Sequence, residues 1–274
     1  MSGAAQAQRI GVIVSTYNKP QVLAPVLEGW RRQNDCGFEL FVADDGSGEP
    51  TRQLIERVAA DFPVPLHHIW QEDAGFRLAR VRNLAIRAAT DCDYLIVTDG
   101  DCIPLPGMVA AHRRMASAGA FLNGERLLLA EAFTARFLAA PWPLGSESTV
   151  RLIGRTLKGE LNRMLPLLLP VLATARSQKL PGLRGCHLSF WRRDLLAANG
   201  FDESYMGWGR EDSDLAARLF HAGIERRNLR GMPLLHLWHP EAKRDAVNRN
   251  DALLAACIEA RRIKAAIGLE QLDG

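Results

Sequence analysis

Short apolar runs alternate with longer, mixed segments across the first hundred residues. Ile10–Ser15, Phe38–Ala43, Leu66–Trp70 and Tyr94–Thr98 read as strands, while Gln21–Arg32, Thr51–Asp61 and Leu78–Ala88 between them carry helical spacing. This rhythm predicts βαβ units and an α/β fold, a mostly parallel central sheet with helices on both faces. From about Asn123 to Gly182 the rhythm fades into a stretch rich in Arg, Leu and Pro, which predicts a helical insertion. Beyond it, Arg184–Trp191 reads as a strand and Glu211–Ala222 as an amphipathic helix with Leu215, Leu219 and Ala222 on one face. Leu234–His239 reads as a short strand, and Glu241–Ile267 as a charged surface helix. The expected organisation is one domain: a first half over 9–120, the insertion over 123–182, a second half over 183–240 and a C-terminal helix within 241–274.

Polar residues gather where the predicted strands end. Thr16-Tyr17-Asn18 follows the first, Asp44-Asp45-Gly46-Ser47 the second and Asp99-Gly100-Asp101 the fourth. A parallel sheet brings such ends to one edge, where open α/β sheets bind their ligands. A nucleotide across that edge would meet Asp44 or Asp45 as acceptor for a base N–H, Asp99 at a ribose hydroxyl and Asp101 at a metal. Hard carboxylate oxygens suit Mg²⁺ or Mn²⁺ on phosphates. The plainer reading of strand-terminal Asp is turn chemistry or a helix cap.

Arg77, Arg80 and Arg82 surround the start of the helix at Leu78. Arginine forks and helix N-termini both attract diphosphate oxygens, and Arg80 and Asn83, at i and i+3, share a face. The competing reading is a solvated helix face. His236 and His239 either sit in the core or complete a metal shell with the Asp pair. In an extended strand they point to opposite faces, so both bind only if the chain turns, which Pro240 favours. Glu211-Asp212 opens a helix, where acids commonly serve only the helix dipole. Against that stands Trp208 between Gly207 and Gly209, a costly residue to leave in a loop and one able to wall a sugar site.

Composition narrows the function classes. The 274 residues carry 34 basic and 31 acidic side chains, net +3, which argues against nucleic-acid binding as the main activity. Five widely spaced cysteines indicate neither a disulfide framework nor a zinc site. The N-terminal Met1–Gln8 lacks signal-peptide order, so the expected place is the cytoplasm. The insertion, with Arg151, Arg155, Lys158 and Arg163 ahead of Leu165-Pro166-Leu167-Leu168-Leu169, is either a packing element or a basic amphipathic surface on the inner face of an anionic membrane.

Taken together, these residues resemble a known family. Val12-Ile13-Val14-Ser15-Thr16-Tyr17-Asn18, Val42-Ala43-Asp44-Asp45-Gly46-Ser47 and Thr98-Asp99-Gly100-Asp101 are similar to the opening strand, nucleotide loop and DXD motif of the family 2, GT-A type glycosyltransferases. Gly200-Phe201-Asp202-Glu203 through Gly207-Trp208-Gly209-Arg210-Glu211-Asp212-Ser213-Asp214 resembles the C-terminal motif of β-1,4-galactosyltransferases and bacterial chondroitin-type polymerases. The resemblance covers about 9–120 and 183–240 and implies a GT-A fold. It places a UDP-sugar on Thr16, Tyr17, Asn18, Asp44, Asp45, Asp99 and Gly100, with its diphosphate near Arg80 and Asn83. It makes Asp101 a metal ligand together with His236 or His239, or both, for Mn²⁺ or Mg²⁺. Trp208, Gly209 and Glu211 would line the substrate, and Asp212, with Glu211 beside it, would be catalytic as base of an inverting reaction. Arg210 departs from the motif, where glycine is common.

The implied activity is inverting, metal-dependent transfer of a hexose or N-acetylhexosamine to a glycan or lipid-linked acceptor, in bacterial cell-surface polysaccharide or lipopolysaccharide synthesis. A nucleotidyltransferase would also use a metal and an α/β nucleotide site but has no need of Trp208 or a second carboxylate pair. A catalytically silent nucleotide-sugar or glycan binding module would make Asp212 dispensable.

Overall fold

A computed structural model describes residues 9–240 and 247–272, together with Ala7. Strands β1 (Ile10–Thr16), β2 (Phe38–Asp44), β3 (Leu66–Trp70) and β4 (Tyr94–Asp99) run parallel, joined by α1 (Pro20–Arg31), α2 (Glu49–Ala59) and α3 (Leu78–Ala88). All seven residues of β1 are buried, so the strand is apolar on both faces. Ile10, Val12 and Val14 face one core with Leu40, Val42, Tyr94 and Ile96. Ile13 faces the other with Phe41, Ala43, Leu95 and Val97. Period-two alternation thus divides one strand between two cores, and helices cover both.

After β4 come β5 (Cys102–Ile103), α4 (Met108–Met115), β6 (Ala120–Asn123) and β7 (Arg126–Leu128). The insertion continues with α5 (Glu131–Ala139), α6 (Thr149–Leu157), α7 (Leu165–Leu168) and the short β8 (Leu172–Ala173). The second half adds β9 (His187–Trp191), α8 (Arg192–Ala197), α9 (Glu211–His221), β10 (Glu225–Arg230), β11 (Leu234–His236) and α10 (Val247–Glu259). The main sheet has the order β3-β2-β1-β4-β9-β6-β10-β8, and a small second sheet has the order β5-β11-β7. The mostly parallel sheet with helices on both faces agrees with the sequence pattern; the departures are β9, antiparallel between β4 and β6, and the edge strand β8, antiparallel to β10.

Three boundaries differ from expectation. The strand expected from Arg184 begins at His187, because the His187 N–H closes a turn onto the Arg184 carbonyl at 3.1 Å. The strand expected to reach His239 stops at His236, because Leu237 N–H turns to the Asp101 carbonyl at 2.9 Å and Trp238 N–H to Thr134 Oγ1 at 3.0 Å. The tail helix expected to reach Ile267 ends at Glu259; it is described from Val247, and residues 241–246 fall outside the described residues. All five cysteines are free.

Candidate active site

Parallel register builds the first wall. Ser15 lies opposite Asp99 and Thr16 opposite Asp44, so three loops leave the sheet side by side. Gly100 N–H donates to the Ser15 carbonyl at 2.7 Å, pulling the Asp99-Gly100-Asp101 turn against β1. Asp45 Oδ2 accepts the Arg77 N–H at 2.9 Å and Oδ1 accepts from Gln71, and burial pushes the carboxyl's pKa up. Tyr17 is exposed, its hydroxyl donating to Asp73 Oδ2 at 2.9 Å. Asn18 Oδ1 accepts from Gly48 N–H at 2.9 Å, tying the first loop to the second.

Asp44 stands behind this wall. It is fully buried, with Oδ1 taking the Ser47 N–H at 2.8 Å and Oδ2 paired to His68 Nε2 at 2.9 Å. Both oxygens therefore shape the loop, and Asp45 is the carboxylate nearer the open edge.

Asp101, His236 and His239 converge on one point, their ligand atoms all within 4.8 Å of one another. His236 Nε2 lies 3.5 Å from Asp101 Oδ1 and His239 Nε2 lies 3.3 Å from Asp101 Oδ2. Ending β11 at His236 lets both rings face the same carboxylate. His239 Nδ1 lies 2.7 Å from the Pro240 carbonyl, which only accepts, so that nitrogen carries the proton and Nε2 presents its lone pair. Burial lowers the His236 pKa and keeps its imidazole neutral. One carboxylate and two imidazoles fit a divalent ion.

The centre of the site is Arg82. Its side chain is 1% exposed. Nη2 donates to Asp99 Oδ1 at 2.8 Å, Nη1 to Glu211 Oε1 at 3.3 Å and Nε to Ser15 Oγ at 3.2 Å. The guanidinium also lies over the Phe201 ring, 5.3 Å from its centroid. One cation thus joins the DXD turn on β4 to the first residue of α9. Burial, then the neighbouring Asp212, raises the Glu211 pKa to about 7 against the pull of Arg82. Burial also raises that of Asp99.

The sequence marked Arg80 and Asn83 instead. Asn83 is fully buried and exchanges two hydrogen bonds with the Phe201 backbone, at 2.8 Å each, besides one to Glu203 Oε1 at 3.0 Å. The i, i+3 face that Asn83 shares with Arg80 thus packs on the Gly200–Glu203 segment. Arg80 Nη1 is likewise directed to Glu203 Oε2 at 3.5 Å. The signal for Arg82 was its place on the apolar stripe of α3, with Leu78 four residues before and Ala85 and Ile86 after.

Trp208 is 44% exposed, and its loop rests on backbone that few residues tolerate. Gly207, Gly209 and Arg210 have φ of 76°, 99° and 82°, and only the first two are free of the Cβ penalty. Arg210 is held there by Asp251 of α10, 2.5 Å from its Nε. Asn250, fully buried, donates its amide to the Met206, Trp208 and Gly209 carbonyls at 3.3, 3.5 and 2.9 Å. Asp212 Oδ1 accepts from Ser213 N–H at 2.6 Å, while Oδ2 lies over Gly185, where any Cβ would come within 2.7 Å of it. Asp214, by contrast, is buried with Arg218 and Tyr205 and belongs to the core.

Comparison with known proteins agrees with both halves. Residues 11–120 match the glycosyl transferase family 2 model and residues 173–240 match that of the N-terminal domain of galactosyltransferase. Chondroitin synthase of Escherichia coli is 25% identical over 253 residues, a match covering 88% of this chain and 36% of the synthase, so the chain spans about a third of that relative's length. The structure of S. aureus TarS 1-349 in complex with UDP superposes with a TM-score of 0.61 at 14% identity, covering 96% of this chain and 68% of that one. A mannosyltransferase of Pyrobaculum calidifontis, in complex with GDP-Man and Mn²⁺, gives a TM-score of 0.60 at 19% identity, covering 94% and 66%. The chain therefore has a GT-A fold and carries a family 2 glycosyltransferase region over 11–120 and a galactosyltransferase-like region over 173–240.

Proposed function

We propose that this family 2 glycosyltransferase inverts the anomeric centre of a UDP-hexose or UDP-N-acetylhexosamine as it transfers the sugar to a glycan or lipid-linked acceptor in bacterial surface polysaccharide or lipopolysaccharide synthesis. The observation that carries this is the Arg82 bridge: it fixes the acceptor-side carboxylates Glu211 and Asp212 beside the DXD turn. Uridine lies along Thr16, Tyr17, Asn18 and Asp45, with Asp99 at the ribose and Trp208 and Gly209 against the sugar. Asp212 takes the proton of the acceptor hydroxyl as that oxygen bonds to the anomeric carbon. The carbon's bond to the diphosphate oxygen breaks on the opposite face, and UDP leaves with the electron pair. Asp101, His236 and His239 would hold a divalent ion, whose charge neutralises the diphosphate; two imidazoles beside one carboxylate favour Mn²⁺ over Mg²⁺.

Calorimetry of UDP with and without Mn²⁺ tests the donor half: Mn²⁺ should tighten binding to the native chain and not to Asp101→Ala. Proton NMR of the product from an α-linked UDP-sugar should show a β anomer. Metal-independent UDP binding or an α product would overturn this reading.

The insertion provides peripheral attachment to an anionic membrane. Residues 141–182 carry six basic and two acidic side chains, net +4 where the whole chain is +3. Both acids are withdrawn from the surface, Glu147 onto Arg155 and Glu160 onto Arg155 and Arg136. Val150 and Leu157, 79% and 77% exposed, lie seven residues apart on α6 beside Arg151 and Lys158, and Leu165 and Leu168 are also exposed. Among the described residues no helix is long and apolar enough to cross a membrane. Flotation with anionic vesicles at low salt should carry the protein and at high salt release it; failure to float at any ionic strength removes this attachment.

A further inference from the structure

Three arginines meet beside the proposed acceptor position with little to neutralise them. Arg126 opens β7, which pairs with β11 so that Leu128 faces His236. Among the described residues its Nη1 reaches only the thiol of Cys186, at 3.5 Å. Arg163, from the insertion, spends Nη2 on the Arg126 carbonyl at 2.7 Å, and its buried Nε has no hydrogen-bond partner among the described residues. The Arg184 guanidinium makes no hydrogen bond and no ion pair with any of the described residues, and burial together with the charges of Arg163 and Arg126 lowers its pKa. Glu125, the carboxylate close to Arg184, gives Oε1 to Arg230 at 2.5 Å, and its buried Oε2 makes no hydrogen bond with any of the described residues.

The position of this cluster gives it meaning. Arg184 precedes Gly185, which lies against the free oxygen of Asp212, and Cys186 follows. Arg126 is near enough to His236 and Asp99 for its charge to act on both. The cluster therefore adjoins the metal-ligand triad through Arg126 and the proposed base through the Arg184-Gly185 backbone. Half-buried cations of like sign destabilise one another, and planar N–H forks offer two parallel bonds to a carboxylate or phosphate.

We infer that Arg126, Arg163 and Arg184 form a subsite for an oxyanion carried by the acceptor. The shared chemistry is a carboxylate, as on a uronic acid, or a phosphate, as on a phosphorylated or lipid-linked sugar. This rests on the proposed placement of the acceptor at Asp212, and it gives the insertion, through Arg163, a part in acceptor choice.

Binding of methyl β-D-glucuronide, glucose 6-phosphate and neutral methyl β-D-glucoside, followed by NMR with and without UDP and Mn²⁺, tests the assignment without turnover. The native chain should prefer at least one anionic probe over the neutral one by tenfold or more, the tighter of the two naming the source, and added salt should erode that preference. Arg184→Gln should reduce the preference to about twofold, Arg184→Lys should restore part of it, and UDP affinity should stay unchanged in both. Equal binding of charged and neutral probes by the native chain overturns the subsite. So does an Arg184→Gln variant that loses UDP affinity along with the probe, since the cluster would then serve the donor diphosphate. Failure of the native chain to bind UDP would instead strike the glycosyl-transfer reading, while anion preference measured without UDP still decides the subsite.

Discussion

The donor edge and the acceptor loop are held by different kinds of contact. At the donor edge each functional group lies within two residues of the end of a buried strand, and sheet register alone sets Thr16 beside Asp44 and Ser15 beside Asp99. The acceptor loop has no such frame. Trp208 and Gly209 are tied from outside by Asn250 and Arg210 by Asp251, both on a helix some forty residues later, and Gly207 N–H by the Phe76 carbonyl at 3.1 Å. Backbone in a parallel sheet moves only if the sheet does, whereas a loop held by a few side chains can open at the cost of those bonds. On the proposed placement of nucleotide and acceptor, rigidity falls to the first and adjustability to the second, with Arg82 spanning the two.

Removing the proposed base divides the halves most sharply. Asp212→Asn should keep UDP affinity and lose transfer by about 10²–10⁴-fold, the range of a general base. A variant as active as the native chain would leave only the donor half of the reading. Arg82→Leu should affect both halves together, because Asp99 and Glu211 lose the cation between them; urea unfolding should report a loss of about 3–5 kcal/mol. An unchanged midpoint would mean that the halves do not depend on this bridge.

The pH dependence follows from Glu211. Its carboxyl, raised from 4.5 to about 7, binds its proton more tightly folded than unfolded. The stability it contributes is complete below about pH 4.5, declines as pH rises, and is gone above about 7. On the order of 2–3 kcal/mol should be lost across that window, and Glu211→Gln should flatten the profile. An identical slope in the variant would assign the titration to another group. Smallest is Asn250→Ala, which frees three loop carbonyls and should cost about 1–2 kcal/mol, seen chiefly as a raised KM for acceptor with UDP affinity intact. An equal loss of UDP affinity would join the loop to the donor edge after all.

Much of the donor edge was legible because parallel strands write themselves as uninterrupted apolar runs, and the residues that end a run are the ones the sheet aligns. Asp99, Asp101, Asp45 and Tyr17 could be marked for that reason. Arg82 could not be separated from Arg77 and Arg80 by charge and spacing; what distinguishes it is burial, visible only as an arginine on an apolar stripe. Asn250 carries no local signal, since its partners lie more than forty residues away. Arg126, Arg163 and Arg184 come from three separate segments of the chain.

By itself, then, the sequence determined the alternating βα framework, the strand-end loops and the Gly-Trp-Gly-Arg-Glu-Asp turn, because periodicity and turn chemistry act over a few residues. Tertiary structure alone decided which charges meet. It turned His236 and His239 onto one carboxylate, drew Asp44 and Asn83 into packing roles and Arg82 into the centre. Such choices depend on desolvation and on contacts between segments far apart in the chain, and a linear pattern carries neither.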